Sequence, residues 1–355
     1  MSGEKPKRKI SPSLIIAVII IIVLLAALVY YATLPRPVGV MTTTVIATMT
    51  TTVKIKLPGE GMKIAFLSNG MAGDPFWAVA QKGAEDAGKI FGIEVVTYYY
   101  EGDPAKAADL MDRIIAARPS GIIVSDTEPA VLEPKINHAI ELGIPVVNAI
   151  NDDHSKRLAF FGPTPATLEG FLEQGYAVGK HVAHLIPNGS HILISCEFPA
   201  EPYARGRGQG FLNALTEAGL KFTYEILDAG YETAKTEARI TEYLVAHPET
   251  KVAYSVGGLT TERTGVVVEK LGRKPGEIIV CGFDLLPETL TAIKKGYNKG
   301  VGVQQQYFCL FNAVVTLYNV IANPGFTPAN YNMGLCIVDQ TNVEKLEKLV
   351  SEGKM

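Results

Sequence analysis

The chain has 355 residues, of which 47% are hydrophobic and 19% charged, and its formal net charge at pH 7 is −3. This balance is typical of a folded globular protein and excludes an intrinsically disordered chain. Because the chain carries no excess of basic residues, nucleic acid is not expected as a partner.

A basic cluster precedes an uncharged apolar run at the N-terminus. The basic residues lie within positions 5–9, and Leu14 to Ala32 contains no charged residue. As a helix, that run would span roughly 28 Å, close to the thickness of a bilayer core. We therefore expect residues 1–34 to be a signal or transmembrane anchor. The basic cluster should stay cytoplasmic, which places the rest of the chain outside the cell, held to the cell membrane through residues 14–32.

The processing of this N-terminal segment has two interpretations. Lys7 to Pro12 resembles the pilin-like signal peptides of archaeal surface proteins, in which the cut falls before the apolar segment, here after Lys9. An uncleaved anchor is the alternative, because no clear small-residue cleavage site follows the run. Both interpretations give the same topology. A lipoprotein anchor is excluded, since the first cysteine is Cys196.

Residues 35–61 are rich in threonine and proline and show little apolar periodicity. This composition is typical of a linker that holds a domain clear of the membrane. Threonine-rich stretches often carry O-glycans, and Asn188–Ser190 matches the N-glycosylation pattern, so a glycoprotein is one interpretation. An undecorated linker is the other.

From residue 62 the chain alternates β-branched runs with amphipathic segments, which is the pattern of parallel βαβ units. Between the second and third strands, Leu110, Met111, Ile114 and Ile115 recur at helical spacing. The other predicted elements of this first set are the strands Lys63–Ser68, Glu94–Tyr99, Gly121–Ser125, Pro145–Asn148 and Ala159–Phe161, and the helices Phe76–Phe91 and Pro129–Leu142.

A second set of the same kind begins after Pro165. Two successive sets of similar length predict an α/β fold with two similar Rossmann-like lobes, whose parallel strands end at a shared crevice. The predicted elements of this set are the strands His191–Ser195, Thr223–Leu227, Val252–Ser255 and Ile278–Gly282, and the helices Ala166–Leu185, Ala204–Ala218 and Thr233–Ala246.

The loops that follow these strands carry aromatic rings beside polar groups. Ligands of such sheets bind beyond the carboxyl ends of the strands. A sugar ring presents an apolar face of C–H groups and a rim of hydroxyls, which flat rings and polar side chains match. Core packing is the alternative role for the aromatic residues. The candidate ligand-binding residues are Asp74, Phe76, Trp77, Asn151, Arg205, Tyr231, Asp284 and Gln304.

Signatures of enzymes and metal sites are missing from the sequence. No Gly-x-Ser-x-Gly elbow, phosphate-binding loop or His-Glu-x-x-His pair occurs. The four cysteines are scattered, and His181 and His184 lack a third ligand nearby. Buried free thiols are the default interpretation, although a disulfide is allowed outside the cell. We predict a protein that is not an enzyme and has no cofactor and no metal. The glycine-rich stretch Gly206–Gly210 is predicted to pack its helix tightly.

Four motifs resemble the ribose-binding family of type I periplasmic binding proteins, which serve ABC importers of small solutes. Asp74–Trp77 looks like the family's Asn/Asp-Pro-Phe-Phe/Trp, and Ala204–Phe211 is similar to its Arg-x-x-Gly-Phe region. Val280–Asp284 matches its Val-Gly-Phe-Asp, and Gln304–Tyr307 corresponds to its Gln-Gln-Pro-Tyr. The resemblance extends from Met62 to about Gln340.

The resemblance implies roles for individual residues. Arg205 would bind the sugar ring and Asp284 would accept hydrogen bonds from sugar hydroxyls. Gln304, or Gln305 beside it, would contact the ligand at a hinge crossing. Tyr231 falls where the family places a third aromatic ring, and Asp74–Trp77 would supply the rings that flank the sugar.

The resemblance also implies an arrangement and a mechanism. Three segments, near Gly162–Thr164, Gln304–Gln306 and Gly334–Cys336, would join an N-terminal lobe, residues 62–163 plus 305–334, to a C-terminal lobe, residues 164–304 plus 335–355. Closure of this hinge around a small neutral sugar would let a monomeric binding protein deliver the sugar to an ABC permease in the membrane.

Two departures from the family pattern leave the ligand open. Asn148–Asp153 stands where the family usually has an acidic residue followed by Arg or Ser, and Val256–Gly258 stands where it commonly has Asn-Asp. A pentose and a hexose are equal expectations. Nucleosides or polyols are the alternative ligands, and the ectodomain of a sensor or chemoreceptor is the alternative function.

Overall fold

The computed structural model describes residues 12–33, 56–152 and 155–355. The chain divides into two units, Met1–Lys54 and Ile55–Met355. In the first unit, helix α1 runs over Pro12–Thr33. No helix within the described residues combines the length and the apolar character that a membrane crossing requires. The predictions for the basic cluster, the cut after Lys9 and most of the linker fall outside the described residues.

The second unit begins with alternating strands and helices, as the sequence pattern predicts. The strands are short runs rich in β-branched and aromatic residues, and the intervening helices turn an apolar stripe toward the sheet. In chain order these elements are β1 (Lys63–Ser68), α2 (Pro75–Phe91), β2 (Glu94–Tyr99), α3 (Pro104–Ala116), β3 (Gly121–Val124), α4 (Pro129–Glu141), β4 (Val146–Ala149) and β5 (Phe160–Gly162).

The chain then repeats the alternation and returns to the first sheet near its end. The remaining elements are α5 (Leu168–Val182), β6 (Ser190–Cys196), α6 (Pro202–Glu217), β7 (Phe222–Asp228), α7 (Thr233–Ala246), β8 (Thr250–Ser255), α8 (Gly258–Lys270), β9 (Ile279–Phe283), α9 (Pro287–Lys294), β10 (Asn298–Val303), α10 (Gln306–Ala322), β11 (Tyr331–Asn332), β12 (Cys336–Val338) and α11 (Val343–Ser351).

The strands form two six-stranded sheets with the orders β11-β5-β4-β3-β1-β2 and β12-β10-β9-β8-β6-β7. All neighbouring strands run parallel except β10 and β12. The chain passes from one sheet to the other through residues 163–167, 304–305 and 333–335. The predicted α/β fold with two parallel-sheet lobes is therefore confirmed.

Helix starts differ from the predicted ones where a capping residue decides the boundary. Helix α2, which was predicted to begin at Phe76, begins one residue earlier at Pro75, because the Asp74 side chain accepts a hydrogen bond from the Trp77 amide. Helix α5 starts later, since Thr167 caps it through the Gly170 amide. Helix α6 starts at Pro202, a residue favoured in the first turn.

The glycine-rich stretch of α6 packs against α5, as predicted. A Cβ atom added to Gly210 would lie 2.1 Å from the Leu172 carbonyl oxygen, and one added to Gly206 would lie 2.5 Å from the Phe171 Cβ. Gly206 and Gly210 are four residues apart and therefore share one helix face. A Cβ atom added to Gly208 would meet no atom within 4 Å. Only one face of this stretch thus requires glycine.

We predict that Gly210→Ala destabilises the protein by about 1–3 kcal/mol, because its methyl group forces α5 and α6 apart. The matched variant Gly208→Ala should be neutral or stabilising by up to about 1 kcal/mol, since alanine favours the helix interior and has room there. Urea denaturation of both variants measures the difference. Equal effects of the two substitutions would contradict the close packing of these helices.

Candidate functional site

A cavity lies between the two sheets, where the carboxyl ends of their strands face each other. Its walls come from the loops after β1 and β4 on one side and after β6 to β10 on the other. The space that the centre of a water molecule can reach inside this cavity has a volume of about 100 Å³. One water molecule needs roughly 10–15 Å³ on this measure, so the cavity has room for a ligand of several non-hydrogen atoms.

The structure brings together seven of the eight residues that the sequence nominated. They follow five different strands, and a shared position at the carboxyl ends of parallel strands is what gathers them. The residues that line the cavity are Asp74, Phe76, Trp77, Asn151, Tyr231, Asp284 and Gln304.

Arg205 is the exception, and Arg207 takes the place expected for it. Both residues lie in the first turns of α6, but Arg205 is exposed and borders a groove on the outer side of the helix. Arg207 lines the cavity and is only 3% exposed. Two positions along a helix differ by about 200° in direction, so only one of these arginines can point inward. The prediction for Arg205 is therefore wrong in its placement.

The Arg207 guanidinium is held by polar groups from three parts of the second lobe. Its Nε donates to Gln174 Oε1 at 2.9 Å, its Nη1 to the Val256 carbonyl at 2.8 Å and its Nη2 to Gln304 Oε1 at 2.6 Å. The guanidinium also lies 4.0 Å from the centre of the Phe283 ring. A guanidinium has five N–H donors, so two have no partner among the described residues and can serve a ligand.

Asp284 follows β9 and is positioned by the same network. It is 1% exposed and adopts a positive φ of 65°. Its two carboxylate oxygens accept hydrogen bonds from Gln304 Nε2 at 3.1 and 3.2 Å. Burial raises the pKa of Asp284 to about 7, although the positive charge of Arg207 opposes this rise. The carboxyl group can therefore exchange its proton near neutral pH.

Glu197, which sequence reasoning missed as a site residue, directs a second carboxyl group into the cavity. Its Oε1 accepts hydrogen bonds from the Thr260 amide at 2.9 Å and the Thr260 hydroxyl at 3.0 Å. Its buried Oε2 has no hydrogen-bond partner among the described residues. Burial raises the pKa of Glu197, against these hydrogen bonds. This oxygen is available to a ligand.

The unusual glycines at 257 and 258 make room for the two buried carboxyl groups. A Cβ atom added to Gly257 would lie 2.3 Å from Glu197 Oε2, and one added to Gly258 would lie 3.1 Å from Asp284 Oδ2. A larger residue at 257 would therefore displace Glu197. Carboxyl groups that follow the neighbouring strands β6 and β9 therefore occupy the space beside these two glycines.

The aromatic side chains divide between packing and exposure to the cavity. Trp77 is 6% exposed and packs against Phe66, with ring centres 6.3 Å apart, while it also lines the cavity. Phe76 is half-buried and meets Trp77 edge to face at 5.1 Å. On the opposite lobe, Phe198 and Tyr231 lie 4.9 Å apart. Rings from both lobes thus border the same space.

The two lobes touch through Asp74 and Tyr231. The Tyr231 hydroxyl donates a hydrogen bond to Asp74 Oδ2, while Asp74 Oδ1 accepts from the Trp77 amide at 3.1 Å. Burial raises the pKa of Asp74 to about 6, against the hydrogen bonds from the backbone. This contact joins the first lobe to the second beside the cavity.

The Asn148–Asp153 departure has a structural explanation as far as residue 152. Asp152 accepts hydrogen bonds from Asn148 and from Arg157, with Arg157 Nε at 2.6 Å, and this pairing turns it away from the cavity. Asn151 lines the cavity instead and donates to Ser125 Oγ at 3.0 Å. The candidate Asn151 therefore supplies an amide where the family pattern usually has an acidic residue, and Asp153 lies outside the described residues.

The buried carboxyl groups predict an unusual pH dependence of stability. In the unfolded chain, Asp74 and Asp284 both have a pKa of about 3.9. The folded protein therefore holds more protons than the unfolded chain between about pH 4 and pH 7, and its stability falls as the pH rises through this window. Each unit of pKa shift corresponds to about 1.4 kcal/mol. We expect Asp284→Asn to flatten this dependence, in urea denaturation of the ligand-free protein between pH 5 and pH 8.

Asp109→Asn is the control for this experiment, because Asp109 is an exposed carboxylate on α3. It should keep the dependence of the unaltered chain. A stability that rises from pH 5 to pH 8, or one that Asp284→Asn leaves unchanged, would contradict the raised pKa values.

The sequence profile of the periplasmic binding protein domain matches residues 64–324. The chain belongs to this family. The family consists of substrate-binding proteins, which confirms the prediction that the protein is a binding protein and not an enzyme.

Individual relatives agree with this membership. The xylose/arabinose-binding protein XylF of Sulfolobus acidocaldarius is 25% identical over 296 residues, which are 79% of this chain and 72% of that protein. A carbohydrate transporter protein of Acidothermus cellulolyticus, solved in complex with myo-inositol, matches 83% of this chain and 99% of its own with a TM-score of 0.70 and 22% identity. A solute-binding protein of Burkholderia graminis, solved with D-arabinose, matches 80% and 97% with a TM-score of 0.70 and 22% identity. The two solved structures support the fold.

Proposed function

We propose that the protein captures a neutral monosaccharide outside the cell for an ABC importer. The observation that carries this proposal is the cavity itself, where Arg207, Glu197 and Asp284 surround a space bordered by aromatic rings. Sugars need both kinds of contact, because their C–H faces pack on rings while their hydroxyls both donate and accept hydrogen bonds.

The charges around the cavity favour a neutral ligand over an anion. Asp74, Glu197 and Asp284 bring three carboxyl groups to the cavity, against the single guanidinium of Arg207. A sugar acid or a sugar phosphate would meet like charge here and would lose the hydrogen bonds that water gives it. Hydroxyl groups can donate to the free Glu197 Oε2 and accept from Arg207, so neutral polyols and sugars fit both partners.

The relatives support a small sugar as the ligand. XylF is by its name a xylose/arabinose-binding protein, and the solved structures hold D-arabinose in one case and myo-inositol in another. A pentose and a hexose remain equal candidates for this chain. The ligand roles of the seven cavity residues named above, together with Glu197 and Arg207, are part of the proposal.

We propose hinge closure between the lobes 62–163 plus 305–334 and 164–304 plus 335–355 as the mechanism. The crossing segments are tied to one another: Gln305 Nε2 donates to the Met333 carbonyl at 2.7 Å and to the Gly334 carbonyl at 3.0 Å. Thr164 accepts from Gln174, which binds Arg207. A sugar that touches both lobes would favour the closed form, in which a permease can recognise the joined rim.

The binding experiment uses the full chain and a thermal-shift screen of pentoses, hexoses, myo-inositol, nucleosides and gluconate. We expect a neutral sugar to raise the unfolding midpoint, since a ligand that binds only the folded state stabilises it. Gluconate should not. A shift with a nucleoside and with no sugar would reject the proposed substrate class.

Two variants locate the site for whichever sugar binds. Glu197→Gln should weaken binding at least about 10-fold, because it replaces a charged acceptor that is worth roughly 1.5–3 kcal/mol in a hydrogen bond. Arg205→Ala is the matched control on the outer face of α6 and should bind normally. Isothermal titration calorimetry measures both. Weak binding by Arg205→Ala with normal binding by Glu197→Gln would contradict the proposal that Glu197 binds the sugar and Arg205 does not.

We also propose that the N-terminal segment attaches the protein to the membrane. The support is the sequence, in which a basic cluster precedes the uncharged run of residues 14–32. The full chain should sediment with membranes in alkaline carbonate and be released by detergent, whereas a chain without residues 12–33 should stay in the supernatant. Release of the full chain by carbonate would contradict membrane attachment.

A further inference from the structure

A cluster of ligating side chains lies on the second lobe, outside the cavity. It consists of His191 at the start of β6, Glu225 on β7 and His247 in the turn before β8. One ligand atom from each of the three lies within 4.8 Å of those from the other two. None of these residues lines the cavity. The cluster is therefore separate from the site proposed for the sugar.

The sheet places these residues together. His191 lies opposite Thr223 in the parallel pairing of β6 with β7. Glu225 is two residues beyond Thr223, so its side chain leaves the sheet on the same face. Helix α7 crosses that face and ends at Ala246, which brings His247 over the two strands. Two adjacent strands and one helix end fix the positions of the three residues.

Outer contacts orient both imidazole rings. His247 Nδ1 lies 3.1 Å from Glu249 Oε1, which leaves Nε2 facing Glu225 Oε2 at 4.0 Å. His191 Nδ1 lies 2.8 Å from the Thr223 hydroxyl, and its Nε2 lies 2.8 Å from the Tyr243 hydroxyl. In metal sites, a ligating histidine commonly uses its other ring nitrogen for a carboxylate or similar partner. His247 and Glu249 have this arrangement.

The donor set selects a class of metal. Two imidazole nitrogens and one carboxylate oxygen suit Zn²⁺ and related transition-metal ions, whereas Ca²⁺ and Mg²⁺ prefer oxygen ligands alone. Bonds of about 2.0–2.2 Å in a tetrahedral site place the ligand atoms roughly 3.3 Å apart. The ligand atoms would therefore have to approach one another by up to about 1.5 Å, and the Tyr243 hydroxyl would have to leave His191. These side chains are exposed or half-buried and can make that adjustment.

We propose that His191, Glu225 and His247 bind a divalent transition-metal ion of the zinc class, with water in the remaining position. Bound metal would tie the edge strand β7 to β6 and to the turn before β8. Because the ligands assemble only in the folded protein, binding should also stabilise this edge of the second lobe against unfolding.

The test is a titration of the chelator-treated full chain with ZnCl₂, followed by isothermal titration calorimetry. We expect one saturable site at this position, and His191→Ala and His247→Ala should each weaken it at least about 10-fold. Glu249→Gln should weaken it less, as a partner of a ligand. CaCl₂ should give no saturable binding.

Two controls exclude other zinc ligands. His184→Ala removes an exposed histidine of the same lobe, and Cys336→Ser removes a half-buried thiol. Both should bind zinc as the unaltered chain does. Zinc binding that survives His191→Ala and His247→Ala, or no saturable binding at all, would overturn the proposal.

A spectroscopic measurement keeps the result independent of small changes in stability. Cu²⁺ bound at this position should show electron paramagnetic resonance couplings to two imidazole nitrogens. His247→Gln, which preserves the size of the side chain, should reduce these to one. Identical spectra for the unaltered chain and for His247→Gln would place the copper elsewhere and would also overturn the proposal.

Discussion

The buried guanidinium of Arg207 constrains the centre of this molecule. A charged group removed from water is costly unless hydrogen bonds replace its hydration. Here Gln174, the Val256 carbonyl and Gln304 supply three of those bonds, and each comes from a different part of the chain. Gln304 lies in a segment that crosses between the lobes, and Gln174 binds Thr164 in another. The arginine thus couples the floor of the cavity to two of the three crossings.

The carboxyl groups around this arginine follow from the same balance of burial and charge. Burial raises the pKa of Asp284 to about 7 despite the positive charge of Arg207, and burial also raises that of Asp74 to about 6. Glu197 keeps one oxygen without a partner among the described residues. A ligand with hydroxyl groups would supply the missing hydrogen bonds, and one that lacks a hydroxyl would leave a buried group unpaired. That penalty is a physical basis for discrimination among closely related sugars.

The two lobes are in contact beside the cavity. The hydrogen bond from Tyr231 to Asp74 connects them directly. Glycines at 257 and 258 allow the second lobe to place carboxyl groups where a side chain would otherwise stand. The departures of this chain from the family pattern therefore rearrange the polar groups of the cavity and do not remove them.

The sequence by itself determined the alternation of strands and helices up to Ser255, the strand near Ile278–Gly282, the two-lobed fold and seven residues of the cavity. It could do so because buried parallel strands require continuous apolar runs, and because the residues after such strands meet at one edge of the sheet. Only the tertiary structure decided between Arg205 and Arg207, since a glycine-rich helix start has no apolar periodicity to fix its rotation. Only the tertiary structure, likewise, showed that Glu197 lines the cavity and that His191, Glu225 and His247 lie together. Their partners are distant in sequence, and their proximity depends on how strands pair and helices pack.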